Sequence, residues 1–158
     1  TDEDGFVALL DMKTGELVNN VPRNTIREGT AEDDFVFGMC HDPNDSSSFY
    51  IAGATKGVMP GSSPTTRISP GSEHAFLLKV DARNLSTLWT AQLGAERHKS
   101  HGDDTSPTTA KALDCVVSGD TIYVGGIVDD GAGIVFDNRP RTSRGGDDVW
   151  LSSISTEK

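Results

Sequence analysis

The sequence predicts an all-β chain built from copies of one four-stranded unit, and three observations carry that prediction. First, phrases recur. Asp4-Gly5-Phe6-Val7-Ala8-Leu9-Leu10-Asp11 returns as Glu73-His74-Ala75-Phe76-Leu77-Leu78-Lys79-Val80-Asp81, and its opening returns again as Asp147-Asp148-Val149-Trp150-Leu151. A second phrase, Phe49-Tyr50-Ile51-Ala52-Gly53, comes back as Ile122-Tyr123-Val124-Gly125-Gly126. The offsets agree: 70 from Phe6 to Phe76, 73 from Tyr50 to Tyr123 and 74 from Phe76 to Trp150. Two independent phrases repeating at one period mean that a supersecondary unit has been copied, and such a unit needs neighbours to bury its apolar face. Second, short runs of Val, Ile, Leu, Phe and Tyr alternate with turn residues, as strands do. Third, no segment sustains a 3.6-residue apolar period with caps, so almost no helix is expected.

Taken in order, the first unit offers strands at Gly5–Asp11, Glu16–Asn20, Phe35–His41 and Phe49–Ala54. The second offers His74–Asp81, Ser86–Leu93, Ala110–Val117 and Thr121–Val128. Asp11-Met12-Lys13-Thr14-Gly15 and Ser118-Gly119-Asp120 read as hairpin turns, in which Gly accepts positive φ cheaply. Asp42-Pro43-Asn44-Asp45-Ser46 is a longer turn. Two polar connections of 18 residues each, 55–72 and 129–146, sit at the same place in the repeat and are expected to be copied crossovers. The loops Val21–Asp34 and Ala95–Thr109 lie between second and third strands; loops of this length are functional or mobile.

A four-stranded antiparallel unit that repeats radially is a propeller blade. The expected architecture is therefore a β-propeller fragment of about two four-stranded blades plus the first strand of a third. Blade one covers 4–54, blade two 73–128 and the start of blade three 147–158, with crossovers at 55–72 and 129–146. Such a fragment leaves an apolar face uncovered. The missing blades are expected in the rest of a longer polypeptide or in a partner.

Composition bounds the rest. Hydrophobic residues make up 35% of 158, which together with 17 glycines suits a turn-rich globular domain rather than a disordered chain. The net charge is −10 and Lys13, Lys56, Lys79 and Lys99 are scattered. Phosphate tracking needs clustered cations, so nucleic acid and anionic membrane are poor partners. No apolar stretch reaches the ~18 residues of a membrane span. The two cysteines, Cys40 and Cys115, sit at matching places in the two units. A disulfide is the tempting reading, but equivalent positions in face-packed sheets lie about 10 Å apart, beyond the ~7 Å Cα limit of a bridge, which favours two small buried thiols over a bridge and leaves the redox compartment open.

The phrase (Asp/Glu)-x-(Gly/Ala)-Phe-(Val/Leu)-x-Leu-x-Asp resembles the opening of the propeller repeats known as SBBP repeats. Leu88-Trp89-Thr90-Ala91-Gln92-Leu93-Gly94 is similar to that family's second strand. The stretch from Ala110 to Ser118, followed by Tyr123–Gly126, is similar to its Ala-rich third strand and Tyr-Val-Ala-Gly. Met59-Pro60-Gly61 and Ser69-Pro70-Gly71 match its crossover. The first unit departs by having no Trp in its second strand, and both units are long for the family. Kelch repeats are the nearest competitor, through Tyr123-Val124-Gly125-Gly126, but their period is near 50. The resemblance implies a scaffold or binding module of large secreted or surface proteins, without one shared catalytic set.

Residues that could carry chemistry are few. His98, His101, Asp103 and Asp104 bring two imidazoles and two carboxylates within seven residues, a ligand set that could hold a divalent metal. A solvated polar loop is the simpler reading of the same residues. Asp42-Pro43-Asn44-Asp45-Ser46 spaces its oxygens as calcium loops do, but Ser47 stands where such loops need Gly, which favours a plain turn. Asn44-Asp45-Ser46 and Asn84-Leu85-Ser86 are glycosylation triplets at predicted turns, making Asn44 and Asn84 candidate acceptors. No catalytic triad or nucleotide-binding loop is arguable, so no catalytic or cofactor-binding residue is assigned. Trp89, Trp150, Phe6 and Phe76 recur at strand positions that suit core packing better than ligand stacking.

The expected function is that of a non-enzymatic scaffold or protein-binding propeller segment in an extracellular or cell-surface protein. No cofactor is expected under that reading. The alternatives are a metal-dependent enzyme with a loop or axial site, and a structural subunit of a surface assembly.

Overall fold

The computed structural model describes residues 3–18, 25–26, 29–62, 71–93, 95–97, 108–129, 132–136, 139–142 and 146–155. Among them there is no helix. The strands are β1 (Val7–Ala8), β2 (Thr25–Ile26), β3 (Asp34–His41), β4 (Ser48–Thr55), β5 (His74–Asp81), β6 (Thr87–Leu93), β7 (Ala95–Arg97), β8 (Ala110–Ser118), β9 (Thr121–Val128), β10 (Ala132–Phe136), β11 (Arg139–Thr142) and β12 (Asp148–Ser155). Two antiparallel sheets form the body. The first has the order β3-β4-β5-β6 and the second β12-β9-β8. Two smaller sheets pair β1 with β2 and order β11-β10-β7.

These sheets cut across the sequence units. β4 pairs with β5 along its full length, from Ser48↔Asp81 to Thr55↔His74. The first sheet therefore joins the last two strands of unit one to the first two of unit two, and β9 likewise pairs with β12. The sheets thus join strands that fall in different expected units, 4–54 and 73–128. The 55–72 connection links neighbours inside one sheet. Loop-closure entropy grows only slowly with length, so an 18-residue connection does not stop its flanking strands from pairing. The second connection holds structure of its own, since β10 and β11 form a hairpin that adds β7 at its edge. Near the N-terminus the expected long strands shrink to β1 and an isolated Leu10↔Leu17 bridge, and β2 falls within the expected loop Val21–Asp34.

Repeat equivalence survives at the level of single devices. The turn Asp11–Glu16 and its counterpart Asp81–Ser86 use the same bonds: the N–H of Gly15 donates to the Asp11 carbonyl and that of Leu85 to the Asp81 carbonyl, each at 2.8 Å. The fifth turn residue has positive φ in both, Gly15 at 72° and Leu85 at 55°. Glycine meets that demand without cost. Leu85 meets it because its side chain is buried in the core with Ile51, Met59, Phe76, Leu78 and Val80. A second device is an aromatic ring laid across a glycine on the adjacent strand. A Cβ on Gly53 would strike the Phe76 ring, and a Cβ on Gly126 would lie 2.5 Å from the Trp150 ring. Phe76 and Trp150 therefore share an environment. Phe6 does not; it is 73% exposed, which corrects its assignment to the core.

Directly paired residues on neighbouring strands point to the same side, so the pairings assign each side chain to a face. In the first sheet Phe76, Ile51, Leu78 and Val80 look toward the N-terminal segment and pack with Val7 and Leu9. Tyr50, Ala52, Ala75 and Leu77 look the other way and pack on Ala112, Cys115, Val124 and Trp150 of the second sheet. Each sheet thus has a rear face carrying the aromatic-over-glycine pair and a forward face carrying Tyr50 or its copy, Tyr123. The molecule is a directional stack in which forward faces meet rear faces.

Cys40 and Cys115 are joined by a disulfide, with Cα atoms 5.5 Å apart, which overturns the expectation of two thiols. The expectation failed on one residue of register. Cys40 pairs with Tyr50, whereas the partner of Tyr123 is Val116 and that of Val124 is Cys115. Cys115 is therefore one position short of equivalence, and one position turns a side chain to the opposite face. Cys40 points forward, Cys115 points to the rear, and the two meet between the sheets. Close approach is helped by Gly38, where a Cβ would sit 2.5 Å from the Leu113 carbonyl oxygen. Both strands bulge at corresponding places, between Val36 and Gly38 and between Ala112 and Asp114.

Candidate interaction face

The forward face of the second sheet is the surface that stands out. Alternation along β8, β9 and β12 sends Ala112, Cys115, Val117, Ile122, Val124, Val128 and Trp150 inward. The intervening residues form rows on the other side: Val116↔Tyr123↔Ser153, Asp114↔Gly125↔Leu151 and Lys111↔Ile127↔Val149. Val116 is 58% exposed, Tyr123 39%, Val149 85% and Leu151 72%. Their copies in the first sheet are Cys40, Tyr50, Ala75 and Leu77; the last three are fully buried and Cys40 is half-buried against them. Large apolar side chains gathered on one face mark an interaction surface more often than scattered ones do. β12 is also the edge of the second sheet among the described residues, where its counterpart β5 is flanked on both sides.

The covered copy shows what a lodged tyrosine looks like. The Tyr50 hydroxyl donates to Asp42 Oδ2 at 3.2 Å. The Lys79 ammonium lies 5.5 Å from the Tyr50 ring centroid and the Trp89 ring 5.9 Å from it. Burial, reinforced by the Asp42 carboxylate, pushes the Tyr50 phenol up to about 12. Lys79 Nζ also reaches Asp45 Oδ2 at 3.6 Å. The hydroxyls of Ser47 and Ser48 donate to Asp45 and hold its carboxyl well below the usual range. By register, Ser118 stands where Asp42 is and Ser153 where Lys79 is. The second copy thus lacks the charged pair that surrounds Tyr50.

The candidate residues named from sequence fall elsewhere. His98, His101, Asp103 and Asp104 lie outside the described residues. Among the described residues, no group of three or more His, Cys, Asp or Glu side chains is placed to hold a metal. Asp42 and Asp45 each turn one oxygen onto their own loop and give the other to neighbouring strands: Asp42 Oδ1 accepts the Asn44 N–H at 2.9 Å and Asp45 Oδ1 the Ser47 N–H at 3.0 Å, while Asp42 Oδ2 accepts from Tyr50 and Asp45 Oδ2 from Ser48. Asn44 is exposed, and its side-chain amide donates to the Gly119 carbonyl at 3.0 Å, tying two neighbouring hairpin tips together. Asn84 is half-buried, its Oδ1 accepting the Ser86 N–H at 2.9 Å. Val116, Tyr123, Val149 and Leu151 were not singled out from sequence. The signal that could have found them is the pairing of Tyr50 with Tyr123, combined with the position of each sheet in the stack.

Among the described residues, no helix is long and apolar enough to cross a membrane. The disulfide fits an oxidising compartment, where such bonds form and persist. No protein-family model matches the chain, and no curated protein matches it.

Proposed function

We propose that this chain is a non-enzymatic scaffold or protein-binding segment of β-propeller type, working outside the cytoplasm through the forward face of its second sheet. One observation carries the reading: Tyr50 is fully buried beneath a following sheet, while Tyr123, its copy, is 39% exposed with Val149 and Leu151 beside it. A face patterned like a buried one is made to be covered. The disulfide supports the extracytoplasmic, secreted or surface setting. The test is oxidative footprinting of Tyr123 and Leu151, comparing the protein in its native setting with the isolated chain. Protection of both in the native setting is the expected result; equal labelling in the two states would sink the reading.

A structural role in a surface assembly is favoured by a second observation, the edge position of β12. Sheet edges are templates for strands of neighbouring chains. The metal-dependent alternative rests on His98, His101, Asp103 and Asp104 alone.

A further inference from the structure

Both Asn-x-Ser triplets lie at turns between strands, and the fold treats them differently. Asn44-Asp45-Ser46 occupies the tip of the β3–β4 hairpin, where Asn44 and Ser46 are exposed. The turn is held from below: the Asp45 N–H donates to the Asp42 carbonyl and the Ser48 N–H to the Asp45 carbonyl, each at 3.2 Å. The Asn44 carboxamide reaches to the neighbouring β8–β9 tip and donates to the Gly119 carbonyl at 3.0 Å. A carboxamide carries two N–H groups, so that bond uses only one of them.

Asn84-Leu85-Ser86 is built into the β5–β6 turn instead. Asn84 Oδ1 accepts the Ser86 N–H and the Ser86 carbonyl accepts the Asp81 N–H, each at 2.9 Å. Leu85 between them is 1% exposed and packs with Phe76, Leu78 and Val80. Asn84 and Ser86 are half-buried on either side of it. An acceptor triplet is read as asparagine and hydroxyl together, and a glycan is bulky and belongs on the surface. The first triplet presents both groups to solvent; the second is anchored in the core through its middle residue.

From this contrast we propose that Asn44 carries an N-linked glycan and that Asn84 does not. The donor is an oligosaccharide held on a lipid diphosphate. Asn44 Nδ2 bonds to the anomeric carbon of the first sugar and gives up one proton. The bond from that carbon to the diphosphate oxygen breaks, and the lipid diphosphate leaves with the electron pair. One N–H remains on Nδ2 and still serves the Gly119 carbonyl, so the glycan is added without unfastening the two tips. The inference rests on the extracytoplasmic setting proposed above, which the Cys40–Cys115 bond supports.

Peptide mapping of the protein from its native source tests the proposal. Treatment with a peptide-N-glycosidase in heavy-oxygen water labels each asparagine that bore a glycan, and label is expected at Asn44 and not at Asn84. Variants secreted from a glycosylating eukaryotic cell give the second readout, the mobility shift on the same treatment. Asn44→Gln is expected to lose the shift. Ser46→Ala is expected to lose it too, although it keeps Asn44 and its bond to Gly119, so loss there reports the triplet rather than a damaged fold. Asn84→Gln is expected to keep it. An unlabelled Asn44, a labelled Asn84 or a Ser46→Ala variant that retains its glycan overturns the proposal. Alkylation of cysteines in the native protein separates this inference from the setting on which it rests. An unlabelled Asn44 with Cys40 and Cys115 oxidised removes the glycan and leaves the extracytoplasmic reading standing. An unlabelled Asn44 with both thiols free removes both.

Discussion

Tyr50 and Tyr123 occupy the same place in two copies of one unit, yet the first is sealed and the second is open. Both are the third residue of a β-strand of eight, and both follow an apolar residue in a run that ends in glycine. Local sequence does not separate them. What differs is the neighbour: the first sheet has the second sheet on its forward face, and the second sheet has none among the described residues. The surroundings follow suit. Tyr50 is held by Asp42, Lys79 and Trp89, whereas serines stand at the positions equivalent to Asp42 and Lys79 around Tyr123. Position in the stack, rather than identity in the repeat, decides whether a side chain is core or surface.

The largest effect that can break this comparison is loss of the staple on the sealed side. The Cys40–Cys115 bond closes 75 residues of sequence separation, and constraining a loop of that size in the unfolded chain is worth about 4 kcal/mol. Replacing both cysteines with alanine is expected to lower the unfolding free energy in urea by about that much. A loss under about 1 kcal/mol would mean that sheet burial alone holds the covered face, the disulfide being incidental.

Next comes the direct contrast. Truncating a fully buried aromatic costs about 3 kcal/mol or more, while surface substitutions stay within about 0.5 kcal/mol. Tyr50→Ala is therefore expected to be severely destabilising and Tyr123→Ala nearly neutral in the isolated chain. Equal losses, measured by thermal or urea unfolding, would erase the distinction between the two faces.

The smallest effect sharpens the contrast through protons. Burial and the Asp42 carboxylate raise the Tyr50 phenol from 10.0 to about 12. An acid whose value is higher in the folded state stabilises the fold below its unfolded value and loses that contribution as pH rises through the folded one. Stability is thus expected to fall by on the order of 2 kcal/mol between about pH 10 and 12. Tyr50→Phe is expected to remove that alkaline limb from the pH–stability profile. A mutant profile parallel to wild type across the window would assign the loss to other groups.

Much of this architecture is legible in the sequence. His74–Asp81 and Thr121–Val128 are strands with the predicted bounds, because alternating apolar side chains and flanking turns leave few other options. Gly15 and Gly119 adopt the positive φ that their turns require. Three features were not legible. Pairing of β4 with β5 across a long connection depends on where Phe76 finds Gly53, a contact between residues 23 apart. The disulfide depends on a single residue of register between β8 and β9. The interaction face depends on how many sheets follow.

Strands, turns and copied devices follow from the order of amino acids alone, because local sterics and side-chain alternation within a few residues set them. Which strands share a sheet, which way Cys40 and Cys115 point and which tyrosine is covered emerge from long-range packing. Those outcomes turn on register and stacking, where one step along a strand reverses a face, and no short-range pattern encodes the sheet that will lie against it.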